Sequence, residues 1–141
     1  MYIVATDLIA VMTDIDSISL TDDGDIGELD VAIINNNILI AGSIVDAFIG
    51  KRYRLPLAVV PQIVKSAVMD IVVYKLCSRG VFAPSDTRIK AYDDAISLLK
   101  DIAKGVAVLD LDTGTEVVSS FSSSNATSDN RVFTKETMGG V

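Results

Sequence analysis

The sequence predicts a mainly α protein: a small four-helix domain followed by an extended C-terminal arm or short strand. Three observations carry this reading. Apolar residues recur at steps of three and four along most of the chain up to Gly105. Capping and helix-breaking residues punctuate that periodicity at intervals typical of helix ends. After Gly105 the pattern changes first to a brief alternation and then to a polar, serine-rich composition. Residues 1–105 are therefore read as the helical domain, and residues 106–141 as an extended arm and polar tail.

The first expected helix is short. Ala5 to Met12 puts Leu8, Ile9 and Met12 on one face, with Thr6 or Asp7 as cap. Thr21-Asp22-Asp23-Gly24-Asp25-Ile26-Gly27 is turn chemistry and reads as a loop. A long helix then starts near Glu28 to Asp30 and runs to about Arg52. Ile34, Ile38, Ala41, Val45, Phe48 and the stem of Arg52 step by four, three, four, three and four. Ile33, Ile40, Ile44 and Ile49 widen the stripe, so this helix needs cover on more than one side. Gly42-Ser43 in its middle permits close approach of a second helix, and Gly50 loosens its last turn. Pro56 biases Leu55 towards extended geometry and ends the helix.

Pro61 opens a third helix, to about Ser78, with Ile63, Ala67, Met69 or Asp70, Val73 or Tyr74, and Cys77 in helical step. Arg79-Gly80 stops it. Ser85 or Asp86 caps a fourth helix over about 86–104, whose stripe is Ile89, Tyr92, Ile96, Leu99 and Ala103. Gly105 ends it after Lys104. Val106 to Asp112 alternates like a short strand or extended arm. Beyond Thr113, Phe121, Val132, Phe133 and Met138 interrupt the polar tail as candidate anchors against another subunit.

The chain of 141 residues suits one domain, and half of it is hydrophobic. That is rich for a monomer. No segment offers about 18 uninterrupted apolar residues, so a membrane span is rejected and the surplus is assigned to subunit contacts. There is no histidine and one cysteine, which removes the commonest members of catalytic triads and zinc sites. No disulfide is possible within the chain, and the acidic start lacks the basic region of a secretory signal. Net charge is −7. Residues 1–30 carry eight acids and no base, while Lys51, Arg52 and Arg54 make residues 31–60 net basic.

The spacing of Asp22, Asp23, Asp25, Glu28 and Asp30 does not fit a calcium loop, and a solvated acidic loop is expected. Asp46 and Asp70 lie among apolar neighbours and are expected to pair with Arg52, Arg54 or Lys75, or to face outward. Cys77 reads as core, and Tyr53 and Tyr74 as packing residues with a wet hydroxyl. No phosphate loop, dinucleotide fingerprint or nucleophile elbow appears, so neither an enzyme nor a cofactor is expected.

The stretch Ile44-Val45-Asp46-Ala47-Phe48-Ile49-Gly50-Lys51-Arg52-Tyr53-Arg54-Leu55-Pro56-Leu57 resembles the I-D-x-Y-L-x-x-R-Y-x-L-P-L stretch of Mu-like phage neck proteins. These look like relatives of the head–tail connector, or head-completion adaptor, proteins. Tyr92 to Gly105 is similar to that family's Y-x-x-A-x-x-x-L-x-x-I-A-x-G, and Arg131-Val132-Phe133-Thr134 to its R-x-F-[ST] close. Phe48 stands where tyrosine is usual, and the Asn35-Asn36-Asn37 run is a departure.

The resemblance implies a non-catalytic subunit of a ring, twelve-fold, beneath the portal. That ring would extend the DNA channel and offer a docking face to the tail. Implied partners are other copies of the chain, the portal protein, a tail terminator or stopper protein, and DNA through weak non-specific contact. The implied location is the virion neck, assembled in the bacterial host cytoplasm. Candidate subunit or portal contacts are Lys51, Arg52, Tyr53, Arg54, Leu55, Pro56, Phe121, Arg131 and Phe133. The basic segment is expected to face the acidic N-terminal third of an adjacent copy, or else to pair within its own copy. The alternative function is a small helical nucleic-acid-binding or regulatory module, which the overall acidity disfavours.

Overall fold

The computed structural model describes residues 1–80 and 83–111 of the chain. Five helices occupy them: α1 (Ala5–Val11), α2 (Asp14–Thr21), α3 (Val31–Ile49), α4 (Gln62–Arg79) and α5 (Asp86–Lys104). Helices α3, α4 and α5 pack on one another as a three-helix core, with α4 against α5 the most extensive pairing. Helix α1 lies on α3, and α2 bridges α3 and α4.

Helix α1 begins one residue before the expected Thr6 cap. Asp7 sits in its first turn and accepts from the Val4 N–H at 3.1 Å, satisfying a donor that the helix itself leaves free. Leu8 is fully buried. Helix α2 is the element that apolar periodicity does not reveal, and it raises the expected four helices to five. Its buried positions Ser17 and Thr21 are hydroxyl residues. Each turns its hydroxyl back along the helix: Ser17 donates to the Thr13 carbonyl at 3.0 Å, and Thr21 to the Ser17 carbonyl at 2.7 Å. Thr13 caps the helix by accepting from Asp16 N–H.

Thr21 also accepts from the Asp30 N–H, which ties the end of α2 to the start of α3. The acidic loop between them is organised by Asp22. Its carboxylate accepts from the N–H groups of Gly24, Ile26 and Gly27. Those donors, Ile26 first, hold its pKa below the ordinary value. Asp30 then caps α3 through the Ala32 and Ile33 N–H groups.

Helix α3 is the centre of the fold. Ile34, Ile38, Ala41, Val45 and Ile49 are buried, with Ile49 taking the place in the core expected of Phe48. Asn37 is buried too, its side-chain amide donating to the Ile33 carbonyl at 2.9 Å. By length and composition α3 would suffice to cross a membrane, with a mean hydropathy of 1.6, yet its inner face forms the middle of the bundle. Gly42 does not admit a second helix; its neighbour is the ring of Tyr2. Gly50 is needed for closeness, since a Cβ there would lie 2.8 Å from the Asp46 carbonyl oxygen.

Helices α4 and α5 turn inward faces that overlap the expected stripes. Val64, Ala67, Val68, Ile71, Val72, Val73 and Leu76 are the core of α4; Ala67 and Val73 are as expected, while Ile63 is exposed and Cys77 is half-buried. In α5 the core residues are Ala95, Leu99 and Ile102; Tyr92 and Ile96 of the expected stripe pack beside them, and Ile89 is exposed. Helix α4 carries apolar residues beyond one stripe, and packing chooses among them. Tyr92 stacks on Tyr74 across the α4–α5 contact, with ring centroids 4.2 Å apart. Gly105 closes α5 in the left-handed region, at φ 83°.

The chain bends at Val106 and Ala107, whose N–H groups donate to the Asp101 carbonyl, and runs without helix to Leu111; no strand forms among the described residues. Leu109 is buried, and Val106 and Val108 point outward.

Replacing Gly105 by Ala forces a side chain into the left-handed region and into the Arg52 guanidinium. This is expected to cost about 1–2 kcal/mol. Gly42→Ala has ordinary room at 3.7 Å from Tyr2 and is expected to add roughly 0.5–1 kcal/mol. Chemical denaturation of the two variants checks the contrast.

Candidate functional site

Gly50 to Tyr53 continues α3 by one further turn through hydrogen bonds from Arg52 and Tyr53 N–H groups to the Ile49 carbonyl. That turn carries the basic cluster. Lys51 is exposed, with its ammonium 5.8 Å from the centre of the Phe48 ring. Arg52 is half-buried and lies against Gly105, so its charge sits at the C-terminal end of α5, where helix carbonyls favour a cation. Arg54, Leu55 and Pro56 are exposed, and the Leu55–Pro56 peptide bond is cis.

Tyr53 stands apart from the rest of the expected contact group. It is 4% exposed, and its hydroxyl accepts from the Leu109 N–H at 2.8 Å. It is therefore a packing residue within its own copy, and its hydroxyl is buried rather than wet. Phe121, Arg131 and Phe133 lie outside the described residues, as does the rest of the expected tail beyond Leu111.

Beside the basic turn, Met1, Tyr2, Asp46, Leu55, Pro56, Leu57 and Val60 line an open hollow of about 340 Å³. The Tyr2 hydroxyl donates to the Asp46 carboxylate across its floor. Burial, then the bond to Asp46 and its charge, push the Tyr2 pKa well above the ordinary phenol value. Asp46 thus faces outward, one of the two expected alternatives, and its partner is a tyrosine rather than Arg52, Arg54 or Lys75. This contact is 44 residues long in sequence, and no local pattern signals it.

The basic cluster has no carboxylate within salt-bridge distance among the described residues. The ion pair that the described residues do make lies elsewhere, between Arg79 and Asp23 at 2.6 Å. It joins the end of α4 to the acidic loop. Among the described residues no group of three or more acids, cysteines or histidines converges on a point that would hold a metal.

Asp70 and Cys77 on α4 are partly buried. Desolvation raises both pKa values, against a lowering influence of Arg88 on each. A raised thiol pKa lowers the thiolate fraction and hence the nucleophilicity of Cys77. The arrangement as a whole offers charged and apolar surface for docking.

Thirteen large hydrophobic side chains stand exposed among the described residues, including Ile26, Leu39, Ile40, Leu55, Val106 and Val108. Scattered single residues of this kind are ordinary on any surface. Here several share an element: Val31, Leu39 and Ile40 on α3, and Val106 and Val108 on the segment after α5.

A protein-family model described as bacteriophage Mu, Gp36 matches residues 2–127. The match covers all five helices and the segment after α5. No curated protein matches the chain.

Two outcomes follow from these contacts. Tyr53→Phe leaves the Leu109 N–H buried without its acceptor, which is expected to cost about 1–3 kcal/mol. Faster amide exchange at Leu109 with the helices intact checks it. Asp70 binds its proton more tightly in the folded chain than in the unfolded one. The stability this gives is present at acid pH and is lost as pH rises through the folded pKa. Asp70→Asn is therefore expected to raise the thermal midpoint at neutral pH, with the gain shrinking towards pH 3; unfolding scans at both pH values test the sign.

Proposed function

Since this chain belongs to the bacteriophage Mu Gp36 family, we propose that it is a structural subunit of the phage neck. In this reading it is a head–tail connector that assembles as a ring beneath the portal, extends the DNA channel and offers a docking face to the tail. The chain is a Mu-like phage structural or morphogenesis protein, associated with the virion. Family membership over residues 2–127 carries the finer reading.

Two physical features support it. The exposed aliphatic residues of α3 and of the segment after α5 gain by being covered in an assembly. The basic turn Lys51 to Arg54 and the acidic loop Asp22 to Asp30 lie at opposite ends of α3, which suits contacts between copies or with a portal of complementary charge. In this reading Lys51, Arg54, Leu55 and Pro56 make the contacts and Arg52 and Tyr53 hold the turn that presents them. Phe121, Arg131 and Phe133 contribute from the tail. No catalytic step or cofactor belongs to the reading.

Light scattering of the chain with and without the portal protein of its own phage tests this. A portal-dependent complex of ring mass is the expected result. A chain that ignores the portal at every concentration would overturn the connector reading. The nucleic-acid-binding alternative predicts a discrete, salt-sensitive mobility shift with duplex DNA. With three basic residues in the cluster, no such shift is expected at physiological salt.

A further inference from the structure

Helix α3 is apolar on its core face, and its outer face is uncharged as far as Asp46, with Leu39 and Ile40 at its middle. Between its cap, Asp30, and Asp46 it carries no charged residue. On the outer side Leu39 and Ile40 remain 62% and 41% exposed. The Ser43 hydroxyl is bonded back to the Leu39 carbonyl at 3.0 Å and so is partly satisfied from within the helix, while Asn35 and Asn36 lie exposed one turn before Leu39 and Ile40. Among the described residues no other element covers this face.

The two ends of the helix carry opposite charge. In the acidic loop Asp22, Asp23 and Asp30 are engaged by backbone N–H groups or by Arg79. The Asp25 and Glu28 carboxylates are exposed and make no hydrogen bond or ion pair with other described residues. At the other end Lys51 and Arg54 are exposed and likewise lack a carboxylate among the described residues. Lys51 follows Ala47 by one turn and continues the outer face. The 19 residues of α3 separate the two ends by about 28 Å. The free acids and the free bases are thus too far apart to neutralise one another within one copy.

We infer that the outer face of α3 seats a second copy of this chain, with the two α3 helices antiparallel. Only that arrangement brings the acidic end of each copy onto the basic end of the other, and it does so twice. A parallel arrangement sets like charges side by side. A two-fold axis between Leu39 and Ile40 pairs Ala32 with Ala47 and Asn36 with Ser43, short side chains that let the helices approach. Beyond the helix ends, the same arrangement brings the loop that carries Asp25 and Glu28 to the turn that carries Lys51 and Arg54.

The stripe is about 28 Å long and roughly 10 Å wide, small beside the approximately 800 Å² per partner of a stable interface. The pair therefore dissociates readily, at micromolar concentration. Neighbours in a ring with a single high-order axis are not related by a two-fold. The pair accordingly belongs to the chain before assembly and hides the α3 face until then. It does not depend on the ring.

Sedimentation velocity of the full chain across the micromolar range tests the pair. A monomer–dimer equilibrium is expected, and Leu39→Asp with Ile40→Asp abolishes it. Lys51→Glu with Arg54→Glu weakens dimerisation about tenfold or more at low salt. Adding Asp25→Lys and Glu28→Lys to the same chain restores it. In a Cys77→Ala background, Ile40→Cys forms a disulfide dimer alone, whereas Ala32→Cys cross-links only when mixed with Ala47→Cys.

Any of four results overturns the inference: a monomer at every concentration; self-linking of Ala32→Cys; a four-fold charge swap that is helical by circular dichroism yet fails to restore the dimer; or an α3 face that takes up phosphatidylcholine–phosphatidylglycerol vesicles instead of a second copy.

Discussion

One constraint governs this molecule: α3 is apolar around most of its circumference, and the rest of the described chain covers only part of it. Ile34, Ala41, Val45 and Ile49 vanish into the contact with α4 and α5. Without that contact the bundle has no centre. The same helix then leaves Leu39 and Ile40 facing out. Burial of such side chains is the main favourable force in folding and in association alike. A single helix thus serves both, with the inner stripe committed to the fold and the outer one left for another surface.

The helical content was readable because three long segments repeat at the period of a helix and are closed by strong punctuation. Asp30, Ser85 and Gly105 act at the ends where a cap or a left-handed residue is required. Helix α2 escaped because its inward residues, Ser17 and Thr21, satisfy their hydroxyls within the helix and so need no hydrophobicity. The inner faces of α4 and α5 are legible in part: Ala67, Val73 and Leu99 are buried where periodicity puts them. Helix α4 has apolar residues to spare, so periodicity allows more than one rotation and tertiary packing decides that Val64, Val68 and Leu76 go inward and Ile63 does not. Long-range polar contacts had no local signature. The bond from Tyr2 to Asp46 and the bond from Leu109 to Tyr53 join residues that only the folded chain makes neighbours.

The basic turn illustrates how one short segment divides its labour. Arg52 and Tyr53 point inwards, one to the end of α5 and one to the backbone of the segment after it. Lys51 and Arg54 point outwards. As a sequence the four look like a single charged patch. As a structure they are a hinge-pin of two residues that holds two others in position. The family match over residues 2–127 includes this turn together with the acidic loop at the far end of α3, so both charged ends belong to the matched unit.

The hydrogen bond from Leu109 to Tyr53 has a mechanical consequence. It anchors the outgoing chain to the tip of the longest apolar helix, well past the last helix of the bundle. A phenol oxygen, one atom in size, thus acts as a cleat that fixes the backbone at Leu109 against the turn that follows α3.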